Sequence, residues 1–352
     1  MSLSRAPSFM TALRVRLELK AYTLIGGGRV GNVIEHVKDM IIERVKLGKG
    51  SIASVHCKLM PLVPPTSIKG VLRSIAEKIA KRLFTGSSIP EKLAILHHQP
   101  TPFEEDARRR SNLLVINTVH SDMRDVATLG FEIQTLEELE RNGVMDRIPL
   151  GVDKGLRIAI PKDESLKKAF QEYLRSLKAK PSERLAIMLQ GLEAGADKLF
   201  EIWASTLCPI CILFGSPFRG SALRFTALLP AGLRVELARR YHVAIERSRG
   251  IRAEGKLYSI ECMEPGTILE GLAYLLLPPA PPEAEDSDSV LSSEYSKALD
   301  CAQKLFEALM KYLENLDILI GGATSRGYGL AKLSLEFINQ ELNRQRYYFR
   351  SN

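Results

Sequence analysis

Apolar and polar residues alternate over most of residues 11–25, Thr-Ala-Leu-Arg-Val-Arg-Leu-Glu-Leu-Lys-Ala-Tyr-Thr-Leu-Ile, which predicts a half-buried strand. Gly26-Gly27-Gly28-Arg29-Val30-Gly31 is expected to end it in a glycine loop. The stretch from Val33 to Val45 has no clear period, Lys46 to Lys49 reads as a basic turn, and Ser51 to Leu59 is a further candidate strand. Pro64 and Pro65 exclude helix before Thr66. Thr66 or Ser67 can then cap a helix whose apolar positions are Ile68, Leu72, Ile75 and Ile79. From about Phe84 to Trp203 the character changes to helical runs, near Leu136–Asn142, Leu166–Ala179 and Lys180–Trp203, which predict a mainly helical insertion.

Strand patterns return in the last third of the chain. Ala222 to Leu229 and Leu269 to Leu277 read as strands, and residues 241–247 and 255–261 as the arms of a hairpin with a basic tip. Pro278 to Ser293 is rich in Pro, Asp, Glu and Ser, the composition of a disordered surface loop. Glu294 to Leu316 is the longest clear helix, with Ala298, Ala302, Leu305, Leu309, Tyr312 and Leu316 as its inner stripe. An apolar run, Ile318 to Ile320, leads into a second glycine loop, and Leu330 to Leu335 alternates as a strand. No short repeat is present, and the mixture predicts the α+β class.

The 352 residues suffice for two core-forming units or one large domain with insertions, and a hydrophobic share of 45% with 26% charged residues is that of an ordinary soluble protein. A formal net charge of +8 fits an anionic partner, most simply nucleic acid. No apolar run reaches membrane-spanning length, and Met1 to Met10 lacks the apolar core of a signal peptide, so a cytoplasmic location is expected and no membrane partner. Five widely spaced cysteines do not form a disulfide framework.

The chemistry concentrates in Gly321-Gly322-Ala323-Thr324-Ser325-Arg326-Gly327-Tyr328-Gly329. Four glycines around one Arg and one Tyr suit a backbone that passes close to a ligand and offers bare N–H groups, and N–H donors with a guanidinium favour an oxyanion. The bland reading is a tight turn with a solvated Arg. Lys69 and Arg73, four apart at the start of the predicted helix, make a second phosphate-binding device, or the snorkelling face of an ordinary amphipathic helix.

Other patterns are weaker. Gly26-x-Gly28-x-x-Gly31 formally matches a dinucleotide fingerprint, but the prolines that follow and the missing βαβ series make a dinucleotide-binding enzyme the low alternative. Cys208-x-x-Cys211 is half of a zinc knuckle; Cys57, His97, His98 or His120 would have to complete it, and two buried thiols are the bland reading. Glu35, Asp39 and Glu43 sit four apart, so a helix would align three carboxylates, for a metal or simply a solvated face. No Ser-His-Asp or Cys-His ordering is present. His242 is either a ligand contact or a hydrogen-bonded structural histidine.

Taken in order, these pieces resemble the RAMP superfamily, and within it the backbone subunits of type III CRISPR effector complexes. The glycines at 26–28, Pro-Thr-Ser-Ile-Lys-Gly-Val-Leu-Arg at 65–73, Cys-Pro-Ile-Cys-Ile-Leu-Phe-Gly-Ser at 208–216, His-Val-Ala-Ile-Glu-Arg at 242–247, Gly-Lys-Leu-Tyr at 255–258 and the loop at 321–329 carry the resemblance. Residues 85–205 and 278–293 carry no recognisable motif. The resemblance implies an RRM-like, ferredoxin-like core with a large mainly helical insertion and a hairpin thumb. It divides the chain into 11–84 (first part of the core), 85–205 (insertion), 206–277 (CxxC segment and thumb), 278–293 (flexible loop) and 294–352 (last part of the core).

It further implies an antiviral-defence subunit that stacks with copies of itself and other complex subunits along a guide (crRNA), beside single-stranded target RNA. Carried over by position, Gly26, Gly27, Gly28, Ser67, Lys69, Arg73, His242, Gly321, Gly322, Ser325, Arg326, Gly327, Tyr328 and Gly329 would bind RNA, with residues 242–255 as the thumb. The slicing Asp of the family maps onto Asp39, which with Mg²⁺ would make the chain an endoribonuclease; no tightly bound cofactor is implied, and a structural zinc at Cys208 and Cys211 stays open. Two departures stand out. Leu24 and Ile25 occupy the place of the histidine usual before the first glycine loop, and Asp39 is followed by Met40 and Ile41 instead of Asn/Ser-Pro. The alternative within the family is a stand-alone endoribonuclease that processes guide RNA, for which His36 is the only histidine near the first loop.

Overall fold

The computed structural model describes residues 10–30, 33–46, 52–96, 131–144, 154–155, 157–176, 197–232, 235, 237–246, 251–276 and 290–338. It is mixed α+β and divides into two compact units, one of residues 1–8, 74–222 and 277–308, the other of residues 9–73, 223–276 and 309–352. The second unit carries the candidate site.

Its larger sheet is built on β1 (Met10–Leu19), where the alternation of the sequence is obeyed: Leu13, Val15, Leu17 and Leu19 are buried while Arg14, Arg16 and Glu18 face solvent. Antiparallel neighbours β12 (Ile268–Leu276) and β14 (Leu330–Phe337) flank it, Val15 lying opposite Gly271 on one side and Leu335 on the other. β13 (Ile318–Leu319) extends the sheet beyond β14, and β8 (Leu223–Phe225) and β9 (Leu229–Pro230) pair with β12. The strand expected to reach Ile25 stops at Leu19, because the next two amides, of Lys20 and Ala21, both turn to Leu330 O. The strand expected over 222–229 is split at Thr226, whose hydroxyl accepts from Leu272 N at 2.9 Å.

A second sheet has the order β10–β11–β3–β2. β10 (Leu237–Glu246) and β11 (Ile251–Met263) form the expected antiparallel hairpin, β3 (Val33–His36) runs parallel to β11, and β2 (Gly26–Val30) is antiparallel to β3. A separate ribbon pairs β4 (Lys38–Lys46) with β5 (Ile52–Pro61). These strands correct two readings. Gly26 to Gly28 are not a loop but part of β2, and Glu35, Asp39 and Glu43 lie on two strands instead of one helical face.

α1 (Pro65–Leu83) starts at Pro65, earlier than expected, because proline is tolerated at a first helical position whose N–H has no partner in the turn. Its buried stripe is Ile68, Leu72, Ala76 and Ala80, spaced by four. α7 (Val290–Asn315) buries Ala298, Ala302, Leu305, Leu309 and Leu313; Leu316, expected on the stripe, falls past its end and is exposed.

Among the described residues the first unit is mainly helical, with one ribbon that periodicity did not reveal: β6 (Phe131–Thr135) against β7 (Arg157–Pro161). It also contains α2 (Ile89–Leu96), α3 (Leu136–Arg141), α4 (Glu164–Ser176), α5 (Asp197–Leu207) and α6 (Pro209–Phe214). Thr135 and Glu138 form a capping box at the start of α3. Phe170, Phe200 and Trp203 pack with ring centroids 5.3–5.5 Å apart at its centre. Gly31, Leu47 to Lys49, His97, His98, Arg108 to Arg110, His120, residues 278–289 and the aromatic–basic tail at 344–350 lie outside the described residues.

Candidate nucleic-acid interface

The loop 321–329 runs from β13 to β14. Its entry is fixed by Lys332, whose ammonium donates to Leu313 O and Glu314 O at 2.8 and 2.7 Å, satisfying carbonyls at the end of α7. The backbone is tied to the Tyr22–Leu24 connection after β1: Gly322 N donates to Leu24 O at 2.8 Å and Gly329 N to Tyr22 O at 2.9 Å. Within the loop, Arg326 N and Gly327 N donate to Ala323 O and Thr324 O.

The amides of Gly322, Arg326, Gly327 and Gly329 are therefore used inside the protein, and the expectation of a run of bare N–H groups is corrected. Close approach and torsion explain the glycines. Gly321 and Gly329 hold φ of +85° and +82°, and an added Cβ would overlap Leu24 O and Ile320 O respectively. Gly327, at φ +83°, has open space around it. Ala323 also adopts a left-handed conformation, φ 58°, while packed against the buried group of Leu24, Ile260, Cys262 and Tyr328.

This packing sets the side chains. Successive residues of β10 and β11 point to opposite faces, so Arg240 and His242 share one face with Tyr258, Ile260 and Cys262. On that face His242 Nε2 lies 2.7 Å from the Tyr328 hydroxyl, and its ring stacks on Tyr258 with centroids 5.4 Å apart and planes 18° apart. Arg326 donates through Nη1 to the Tyr258 hydroxyl, and its guanidinium lies 5.7 Å from the centre of the same ring. Arg240 lies over Tyr22 at 4.5 Å. Burial, then Arg326 and Arg240, hold His242 below the usual histidine range. Burial raises the Tyr328 hydroxyl, with Arg240 pulling the other way. Among the described residues neither Arg240 nor Arg326 is in an ion pair. Two delocalised cations on aromatic faces can meet phosphates and stack on bases.

Of the expected site residues, the structure thus brings together His242, Arg326, Tyr328 and the glycines of the second loop. Ser325 stays exposed beside Arg326. Tyr22, Arg240 and Tyr258 were missed: the two-residue step from Arg240 to His242 is legible in sequence, whereas the register that opposes Tyr258 to His242 depends on a bulge between Val243 and Ile245. The other face of the hairpin leaves Tyr241, Val243 and Leu257 exposed, at 69%, 51% and 40%.

Lys69 and Arg73 belong to a different group, joined by Arg224 of β8. Burial lowers the Lys69 ammonium, and the two guanidiniums lower it further, as expected of neighbouring cations. Ser67 N donates to Pro64 O in the first turn of α1.

The first glycine stretch is shaped by a bulge. The β2–β3 register shifts between Gly26 and Gly28, Gly28 has φ +133°, and a Cβ on Gly27 would stand 2.8 Å from Val37 Cα. A fingerprint that must open a helix is here a strand, so the dinucleotide match fails on geometry. His36 is buried: Nδ1 lies 2.8 Å from Val37 O, Nε2 has no partner among the described residues, and burial depresses its pKa. Its backbone N–H points at Glu261, which pairs with Lys38 at 2.7 Å. Asp39 is placed as a backbone position only, opposite Met60, its side chain lying outside the described residues.

Cys208 and Cys211 are buried at the start of α6, and the Cys208 thiol reaches Leu93 O at 3.7 Å. Among the described residues no three His, Cys, Asp or Glu side chains converge as a metal site, and no helix is long and apolar enough to cross a membrane.

A comparison with curated proteins gave no match. Among solved structures, a chain of a type IV-B CRISPR complex is similar at 13% identity and a TM-score of 0.36, covering 92% of this chain and 90% of that one. Chains of the type III-B Cmr-beta complex, one bound to cognate target RNA and one in the apo state, reach 12% identity with TM-scores of 0.32 and 0.31, each covering 94% and 98%. The family profile of the RAMP superfamily matches residues 16–332, nearly the whole chain, and on that match the chain belongs to the RAMP superfamily.

Proposed function

We propose that the chain is a guide-RNA-binding subunit of a CRISPR effector ribonucleoprotein of the type III kind, stacked with copies of itself and other subunits along the RNA. Family membership and the order of the sequence motifs support the setting. The observation that carries RNA binding is the gathering of Arg240, Arg326, His242, Tyr258, Tyr328 and Tyr22 beside the glycine loop. The guanidiniums take phosphates and the less buried rings of Tyr22, His242 and Tyr258 take bases, so contact is largely independent of sequence. The Lys69–Arg73–Arg224 group is a second phosphate contact, the sheet built on β1 is the RRM-like core, and the β10–β11 hairpin is the thumb.

Cleavage of bound target RNA, assigned to Asp39 and Mg²⁺, is a further step of the same proposal, and it rests on the resemblance at that position. Photo-crosslinking tests the binding reading. Single-stranded RNA carrying 4-thiouridine is expected to crosslink to peptides containing Tyr22, Tyr258 or Tyr328. Crosslinks confined to other parts of the chain would remove the site.

A further inference from the structure

His242 occupies an unusual place in this cluster. The groups facing its ring come from every element around it: Arg240 on β10, Tyr258 on β11, and Arg326 and Tyr328 from the glycine loop. Cys262 of β11 lies in the buried group behind Tyr328. The nearest carboxylate on β11, Glu261, falls on the opposite strand face, where it pairs with Lys38. Among the described residues the ring is therefore surrounded by two cations and two phenols, with no carboxylate to favour a proton. A phosphodiester arriving at Arg326 or Arg240 would reverse that balance, because an anion close to an imidazole favours the imidazolium.

We propose that RNA capture at this site is coupled to protonation of His242, so that the free protein holds a neutral ring and the complex a charged one. The inference rests on the RNA-binding reading above and adds its regulation. The balance is simple: one proton passes from solvent to the imidazole as the phosphate docks, and no covalent bond changes. The sign follows from linkage. The bound form holds more protons than the free form, so affinity rises as pH falls through the window between the lower free pKa and the higher bound one. A rise of one unit on binding corresponds to about tenfold in affinity.

The test uses the full chain and a labelled oligouridylate, with Kd measured from about pH 8 down to about pH 5.5, which spans the histidine range. Wild type is expected to bind more tightly at the acid end, by about tenfold for a one-unit shift, and H242Q is expected to lose that dependence. Calorimetry in two buffers of different ionisation enthalpy should show uptake of up to about one proton per wild-type complex near pH 6.5, a readout that needs no variant. Wild-type binding with flat affinity and no proton uptake would overturn the coupling while leaving RNA binding in place. Persistence of the full pH dependence in H242Q would also overturn it. Absence of RNA binding at every pH would overturn this inference together with the function it rests on.

Discussion

Substituting each glycine of the second loop by alanine should separate two kinds of constraint. At Gly321 the methyl group meets Leu24 O, and that oxygen already accepts the Gly322 amide at 2.8 Å, so backing it away strains the bond that anchors the loop. An L-residue at φ +85° costs about 1–2 kcal/mol and the weakened hydrogen bond about 1 more, giving about 2–4 kcal/mol with the residual overlap. Gly329 meets Ile320 O in the same way and should cost as much. Gly327 lies in open space at φ +83° and should cost only the torsional strain, about 1–2 kcal/mol. Gly322, whose methyl would sit 3.5 Å from Leu24 Cδ2 without a positive φ, should be nearly neutral, within about 0.5 kcal/mol. Thermal unfolding followed by circular dichroism reads the order. At about 2–4 °C per kcal/mol for a unit of this size, Gly321→Ala and Gly329→Ala should fall by about 5–15 °C. If Gly321→Ala melts with Gly322→Ala, the close-approach explanation of this loop is wrong.

Three other outcomes are expected. Trp203, the only tryptophan, reports on the aromatic core of the first unit, and Phe170→Ala beside it should destabilise that unit by about 3–5 kcal/mol, read as an earlier fluorescence transition in urea. Burial depresses the His36 pKa, so the unfolded chain binds the proton better; stability is full above the unfolded value near 6.5 and is lost as pH falls below it, by at most about 1.4 kcal/mol per pH unit from this group. His36→Gln should flatten that part of the stability curve, and an unchanged curve would assign the acid loss elsewhere. Asp39→Ala should abolish Mg²⁺-dependent cleavage of target RNA annealed to the guide; cleavage that persists in the variant removes Asp39 from that role.

Much of the architecture was legible where one physical signal dominated. The alternation of β1, the helical stripe of α1 and the long α7 were each legible as a single face; in β1 the buried residues are those the period selects, while α1 buries Ala76 and Ala80 where Ile75 and Ile79 were expected, and α7 buries Leu313 where Tyr312 was expected. The hairpin was legible because apolar arms flank a polar tip. Gly26 to Gly28 were misread because three glycines look like a turn, while here they permit a bulge and the approach of Val37. The span from Val33 to Val45 had no clear period, and its strands pair with distant partners, such as β3 with β11, that a local window cannot see.

The site was half legible. Arg326, Tyr328 and His242 were found by residue type and motif order. Arg240, Tyr258 and Tyr22 join them only through hairpin register and the tie between residues 22–24 and the loop. Four of the loop amides expected to bind phosphate, those of Gly322, Arg326, Gly327 and Gly329, donate to the protein itself, which moves the proposed recognition onto side chains.

The most direct measurement of the central claim is the salt dependence of single-stranded RNA binding by wild type and by a variant carrying Arg326→Ala and Lys69→Ala. Each phosphate contact on a single strand contributes about 0.7 to the slope of log K against log salt. The account predicts that wild type binds with a steep slope, and that the double variant loses affinity and about 1.4 from that slope, one contact for each cation. A double variant that binds as tightly, with the same slope, would contradict it.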